Sequence, residues 1–301
     1  MKRSFKPKVI TAKPDQLMLV PTEIELMKHL LAALPHKSRQ NIKSLLSHKQ
    51  VVVNGKEVSQ FNFLLHPGDE IKIRGMREPE DESFQKFSIV FEDEHLIVVD
   101  KHSGILSIST PSEKEQTVYF HLRAHVKRVN PLNKLFVVHR LDRETSGLML
   151  FAKSANVQRL LQDNWHDVIT ERMYVAIAEG VFSEREGIIT SFLHENQGSL
   201  KMYSDQNPEN GKKAVTHYKV LKYNKNFSLM EIHLDTGRKN QIRVHLQEMG
   251  HPIVNDRKYG STTNPIKRLG LHSRVLSFIH PITKEQMRFS TPIPNKFVHL
   301  F

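Results

Sequence analysis

The sequence contains no cysteine. That excludes disulfides, thiolate nucleophiles and Cys-ligated zinc or iron–sulfur centres. No apolar stretch approaches the roughly 18 residues that a membrane-spanning helix needs. The opening residues, MKRSFKPKVITAKPDQ, are basic but lack the apolar core and small-residue cleavage site of a secretory signal. A cytoplasmic protein without membrane association is therefore expected. Acidic residues are also in short supply: 32 Asp plus Glu stand against 44 Lys plus Arg, a net charge of +12. Such an excess favours a polyanionic partner, nucleic acid first, and says nothing about fold. Hydrophobic residues at 39% and charged residues at 25% otherwise describe an ordinary globular protein, and 301 residues allow two domains.

The positive charge is uneven. Residues 1–75 carry 13 Lys or Arg against 6 Asp or Glu, hence +7 in a quarter of the chain. Residues 1–19 are punctuated by Lys and Pro and read as a basic arm. From Thr22 the spacing of Ile24, Met27, Leu30, Leu31 and Leu34 predicts a helix that Pro35 ends. A second helix is expected with Ser38 as N-cap, Ile42, Leu45 and Leu46 inward, and Lys37, Arg39, Lys43 and Lys49 outward. VVVNGK then runs a short strand into an Asn-Gly turn, a strong hairpin signal, and HPGDEIKI repeats the turn-then-strand pattern. A charged helix face is often only a solvated one. SRQNIKSLL, VVVNGK and HPGDEIKI in this order nevertheless resemble the S-four-type RNA-binding domain, over residues 20–75. The resemblance implies RNA binding through Lys37, Arg39 and Lys43. MREPEDESFQK then turns abruptly acidic, so residues 76–86 are expected to be a linker and 87–301 a second domain.

In that second domain, Phe87–Phe91 alternates, and Leu96–Lys101 is a continuous apolar run of the kind buried on both faces. Thr117 to Val129 has helical spacing, with Val118, Phe120, Leu122 and Val126 as its apolar positions. Leu135–Val138 and Leu148–Ala152 flank a polar segment holding Asp142 between Arg140 and Arg143, and read as strand, tight loop, strand. Loops on a rigid scaffold often carry catalytic groups, although an Asp before a turn also serves simply as its cap. Ser154 is the expected N-cap of a helix through Leu160, Leu161 and Trp165. A strand then carries Tyr174, residues 195–211 read as a surface loop, and two strands (216–223 and 227–234) follow. TGRKNQIRVHLQ places Arg238, Gln241 and Arg243 near the start of a helix, where an Arg could hold a carboxylate ionised and oriented. Strands joined by hairpins rather than strict βαβ repeats predict an α+β fold with a mixed, largely antiparallel sheet.

HRLDRETSGLMLFAK, RMYVAIAEG, TGRKNQIRVHLQEMGHPIVNDRKYG and LHSRVLSFIHP, in that order, resemble the RluA-type RNA pseudouridine synthases over roughly residues 88–295. The resemblance implies that Asp142 is catalytic, with Tyr174 against the target base and Arg243 paired with the carboxylate. It also implies that Arg140 helps to open the RNA and hold the extruded nucleotide, with Ile242 a further substrate contact. The sequence departs from the pattern at Asn240, where His is usual, and at Asn255, where Gly is common.

The implied reaction breaks the bond between ribose and uracil nitrogen, turns the base and rejoins ribose to carbon 5. It needs no cofactor, metal or redox partner. The carboxylate starts it by attack or by taking a sugar proton; the residues do not separate these routes. The target uridine must leave its stack, at a cost of about a few kcal/mol. The expected partner is RNA, large-subunit ribosomal RNA before transfer RNA, bound by a monomer. Two rivals stand beside this reading. One is a non-catalytic, ribosome-associated RNA-binding protein. The other is a metal-dependent hydrolase using His139, Asp142, His245 and His251, although His245 and His251 lack the i, i+4 spacing of helical zinc pairs.

Overall fold

The structure, a computed structural model, describes residues 16–35, 39–47, 50–73 and 86–301. The chain divides into two compact units, Met1–Glu82 and Ser83–Phe301.

In the smaller unit β1 (Gln16–Leu19) and β2 (Ile24–Glu25) precede the helices α1 (Leu26–Ala33) and α2 (Arg39–Ser47). Strands β3 (Val51–Val53), β4 (Lys56–Glu57), β5 (Leu64–Leu65) and β6 (Glu70–Ile73) follow. Leu26, Leu30, Ile42 and Leu46 close over Val51, Val53 and Ile71 as one core. The first helix starts at Leu26 rather than near Thr22, because Ile24 and Glu25 pair with Leu65 and Leu64 and are drawn into a strand. Asn54 and Gly55 both have positive φ, 48° and 81°, the backbone that a two-residue hairpin turn requires. Helix α2 buries Ile42 and Leu46 and exposes Arg39 and Lys43. Lys37, Ser38, residues 1–15 of the arm and residues 76–85 of the linker lie outside the described residues.

The larger unit begins with β7 (Phe87–Glu92), β8 (Leu96–Lys101), α3 (Val118–Val129), β9 (Phe136–Val137), β10 (Ser146–Ala152), α4 (Ala155–Asp163) and α5 (Trp165–Val168). Next come β11 (Ile169–Glu179), β12 (Glu186–Glu195), β13 (Met202–Asp205), β14 (Lys212–Tyr223), β15 (Phe227–Leu234) and α6 (Gln241–Glu248). The unit ends with β16 (Leu271–Ile279), β17 (Gln286–Ser290) and α7 (Asn295–Val298). Its strands form one sheet in the order β13-β12-β14-β15-β11-β16-β10-β8-β7, with β17 paired to β16 and β9 to β10. The β10–β16 pair is parallel and its neighbours are antiparallel. The fold is thus α+β on a mixed, mostly antiparallel sheet, as the strand pattern predicts.

The unbroken apolar run of β8 has a direct cause. Ile97 and Val99 face the α3 core with Leu122 and Val126, while Leu96 and Val98 face the α4 core with Val157 and Leu161. On α3, Thr117 is the N-cap, accepting from Phe120 N, but the Phe120 side chain is 37% exposed and is not a core position. Two expectations are corrected. The Asp142 segment is no tight hairpin: β9 and β10 pair only at Phe151–Val137 and Ala152–Phe136, so residues 138–145 form a longer loop. The stretch 195–211 contains β13, which pairs with the end of β12; its short polar run KMYSD carries too little apolar alternation to read as a strand.

Gly147 sets the geometry of the sheet beneath that loop. It lies at φ +111° and opposite Ser273, where a Cβ would fall 2.1 Å from the Ser273 carbonyl oxygen. Gly147→Ala is therefore expected to destabilise the protein by about 3 kcal/mol through overpacking against backbone, read as a drop in urea midpoint. A change under about 0.5 kcal/mol, the scale of ordinary surface substitutions, would show that the crossing can yield. Acid should weaken the fold as well. Burial holds His245 and His272 down to about 4, so both are neutral when folded, whereas the unfolded chain protonates them near 6.5. Their stabilisation is complete above pH 6.5 and is lost as pH falls towards 4. Each should remove about 2 kcal/mol between pH 7 and pH 5. Urea titrations at both pH values check this; an equal loss in a His245→Gln/His272→Gln variant would rule it out.

Candidate active site

The strand register brings two distant segments together. Ser273 on β16 lies opposite both Gly147 on β10 and Tyr174 on β11. The loop that leads into Gly147 is thereby set beside the tyrosine. It is pinned on each side of Asp142. Leu141 donates its N–H to Ser107 Oγ (3.1 Å) and accepts from the same hydroxyl (2.6 Å). The Arg143 carbonyl accepts from Lys101 Nζ and Gly104 N, each at 2.9 Å. Lys101 is fully buried and also donates to the carbonyls of His102 and Ile105; burial pulls its pKa down to about 7. The Asp142 carbonyl closes the turn by accepting from Thr145 N. Its carboxylate is used elsewhere.

That carboxylate meets Arg243 of α6. Arg243 Nη1 donates to Asp142 Oδ2 at 3.0 Å, while Nε and Nη2 fork onto the two oxygens of Asp256 at 2.7 and 2.8 Å. The Asp256 side chain is wholly buried and that of Asp142 is 28% exposed. Burial opposes the Arg243 charge, but hydrogen bonding and attraction from Asp256 and Asp142 outweigh it and raise the guanidinium pKa. Arg243 is thus a fixed cation gripped by one acid and offered to another.

Helix α6 is held by buried polar groups. Gln241 Oε1 accepts from Thr236 Oγ1 and Arg238 N, and its Nε2 donates to Val215 O and Thr216 Oγ1. One turn on, His245 lies between the hydroxyls of Ser191 (3.0 Å) and Thr216 (2.8 Å). Both sequence departures have a backbone reason. Asn240 and Asn255 lie at φ 55° and 60°, in the left-handed region that Asn and Gly tolerate best. Asn240 also touches the site: its Oδ1 accepts from Arg243 Nη1 at 3.4 Å, and its Nδ2 donates to the Tyr259 hydroxyl at 2.8 Å.

Arg140, Asp142, Tyr174, Ile242 and Arg243 line one cleft of about 240 Å³, together with Thr145, Lys239 and Leu271. Burial raises the Tyr174 pKa, against the pull of Arg172 and a hydrogen bond with Ser273. The tyrosine is thus a neutral phenol in that wall. Arg39 and Lys43 belong to the smaller unit. The metal reading loses its ligands. His139 Nε2 accepts from Leu150 N, His245 is held by its two hydroxyls, and His251 bonds the Glu179 carbonyl and stacks on Phe182. Among the described residues no group of three His, Asp or Glu side chains is placed to hold a metal ion. No described helix is long and apolar enough to cross a membrane.

The family model for RNA pseudouridylate synthase matches residues 95–248, and that for the S4 domain matches residues 26–71. The chain belongs to the RNA pseudouridylate synthase family. It is an RNA pseudouridine synthase, an isomerase whose substrate is RNA. The uncharacterized RNA pseudouridine synthase YjbO of Bacillus subtilis is 33% identical over 247 residues, 81% of this chain and 86% of the relative. The ribosomal large subunit pseudouridine synthase D of Neisseria meningitidis is 34% identical over 287 residues, 90% of this chain and 76% of the relative. Among solved structures, human RNA pseudouridylate synthase domain containing 4 superposes with a TM-score of 0.58 at 25% identity, covering 70% of this chain and 90% of that one.

Asp256 is the site residue that sequence reasoning did not single out. Its signal was present, an acid two residues after the apolar Ile253-Val254 and just behind the QIR helix, but nothing in the spacing shows that its carboxylate turns back to Arg243. Asp256→Asn should destabilise the protein by about 3 kcal/mol, the scale for breaking one side of a buried pair, and lower kcat at least tenfold. Urea unfolding and single-turnover assays check both; unchanged kcat would mean that Arg243 keeps its aim without Asp256.

Proposed function

We propose that this pseudouridine synthase isomerises uridines of large-subunit ribosomal RNA, with Asp142 as the catalytic carboxylate. The observation that carries the reading is the Asp142–Arg243–Asp256 chain in a cleft walled by Tyr174. Asp142 starts the cleavage of the ribose–nitrogen bond, by attack on the sugar or by removal of a sugar proton. The freed uracil turns against the Tyr174 ring and carbon 5 bonds to the ribose as the sugar leaves Asp142 or, on the other route, regains its proton from it; the proton on carbon 5 then passes to water and the freed nitrogen regains one. Arg243 keeps the carboxylate oriented, Arg140 holds the nucleotide out of its stack and Ile242 supplies an apolar contact. A monomer is the proposed working unit. Residues 87–301 are read as the catalytic domain and 20–75 as an RNA-holding module in which Lys37, Arg39 and Lys43 meet phosphates. The cytoplasm is the proposed setting. The choice of ribosomal RNA is supported by the Neisseria meningitidis relative, whose name specifies it.

The test uses RNA labelled with tritium at uracil carbon 5, prepared from cells lacking the gene and separated into large-subunit ribosomal and transfer RNA. Tritium release from the ribosomal fraction is expected, and release from transfer RNA alone would move the target. Asp142→Asn should abolish release while leaving RNA affinity within a few-fold; continued release would remove Asp142 from its role.

A further inference from the structure

Arg243 is shared by two clefts. Beyond the first lies a second, of about 450 Å³, lined by Arg243 together with Glu144, Asn255, Arg257, Lys258 and Asn264. Lys239 stands on the lip of the first cleft and Lys258 on that of the second. Both lysines are exposed, and each amine is steered by one bond. Lys239 pairs with Glu195, and Lys258 donates to the Leu200 carbonyl at 3.0 Å. An ammonium has three donors, so each retains N–H groups for another acceptor.

We propose that the second cleft seats a nucleotide flanking the target uridine, and that the phosphodiester joining the two crosses Arg243 between Lys239 and Lys258. The proposal rests on reading the first cleft as the uridine pocket. Three observations support it. The two clefts share one lining residue, Arg243, so a chain occupying both passes beside its guanidinium. The crossing lies within a cluster of cations: Arg243, Lys201 and Lys258 sit 5.0, 5.2 and 6.0 Å from the centre of the buried Tyr259 ring. Burial, followed by repulsion from Lys239 and Arg243, lowers the Lys258 pKa, so these charges are close and a phosphate between them would relieve the repulsion. Asn255 and Asn264 line the second cleft, and an amide side chain both donates and accepts, as a base edge requires.

The test compares wild type, Lys239→Ala/Lys258→Ala and, as a control for loss of two surface charges elsewhere, Lys284→Ala/Lys296→Ala. The probe is the tritiated RNA from cells lacking the gene, assayed across a sodium chloride series. For Lys239→Ala/Lys258→Ala, KM should rise about tenfold and kcat fall less than threefold. The log–log salt slope of kcat/KM should become shallower by about 1. The control should match wild type. An unchanged KM and slope, or equal changes in the control, would overturn the subsite while leaving the uridine pocket standing. A wild type that releases no tritium would remove the pocket reading and the subsite together. In a stem–loop RNA carrying the converted uridine, a methylphosphonate at one flanking linkage should cost wild type about tenfold in kcat/KM and cost Lys239→Ala/Lys258→Ala little more. Additive losses at both flanking linkages would also overturn it.

Discussion

One guanidinium organises the cleft. Arg243 gives its side fork to Asp256, which has no exposure, and turns its remaining nitrogen to Asp142, which has some. The asymmetry has a chemical use. A bidentate pair fixes the plane of the guanidinium, whereas a single bond to Asp142 constrains that carboxylate at one oxygen. The buried acid therefore acts as an anchor, and the partly exposed one has one oxygen that Arg243 does not engage. Were both acids gripped equally, neither would be available. Were neither, burial would work against the Arg243 charge unopposed.

The backbone enforces the same arrangement. Ser273 serves as a common register point for Gly147 and Tyr174, and the absence of a side chain at Gly147 lets β10 and β16 approach there. The loop leading into Gly147 is clamped one residue to each side of Asp142, by Ser107 and by Lys101. Lys101 is an expensive clamp, an amine with no solvent contact, but its three carbonyl partners offset the cost of burial. A short amine can reach three backbone oxygens converging on a point; a planar guanidinium of greater bulk could not occupy the same space.

Much of this was legible in the sequence, for identifiable reasons. The α+β class, the buried β8 run, the Asn-Gly hairpin and the α6 spacing are local patterns, and local patterns carry their own periodicity. Asp142, Tyr174, Arg140, Ile242 and Arg243 came through ordered motifs, and the fold draws all five to one cleft. What stayed hidden depends on pairing between distant segments. β13 exists because the end of β12 is there to receive it, Ile24 leaves its helix for Leu65, and Asp256 matters only once its loop folds back beneath α6. Asn240 and Asn255 stood out as departures, and both lie in left-handed backbone. Asn240 adds contacts to Arg243 and Tyr259 that no spacing rule would suggest.

An anion at the centre of an RNA-modifying site presents a physical problem, since the substrate brings its own negative charges. Within a Debye length of about 8 Å at physiological salt, each phosphate near the cleft would repel the proposed catalytic carboxylate. The cations around Tyr259 answer this by position. Arg243 lies in contact with Asp142, while Lys201 and Lys258 stand over the same aromatic ring farther out. The electron-rich faces of that ring attract positive charges that would otherwise repel one another. Tyr259 therefore has an electrostatic part in addition to its hydrogen bonds: its ring gathers three cations, one of which is bonded to Asp142.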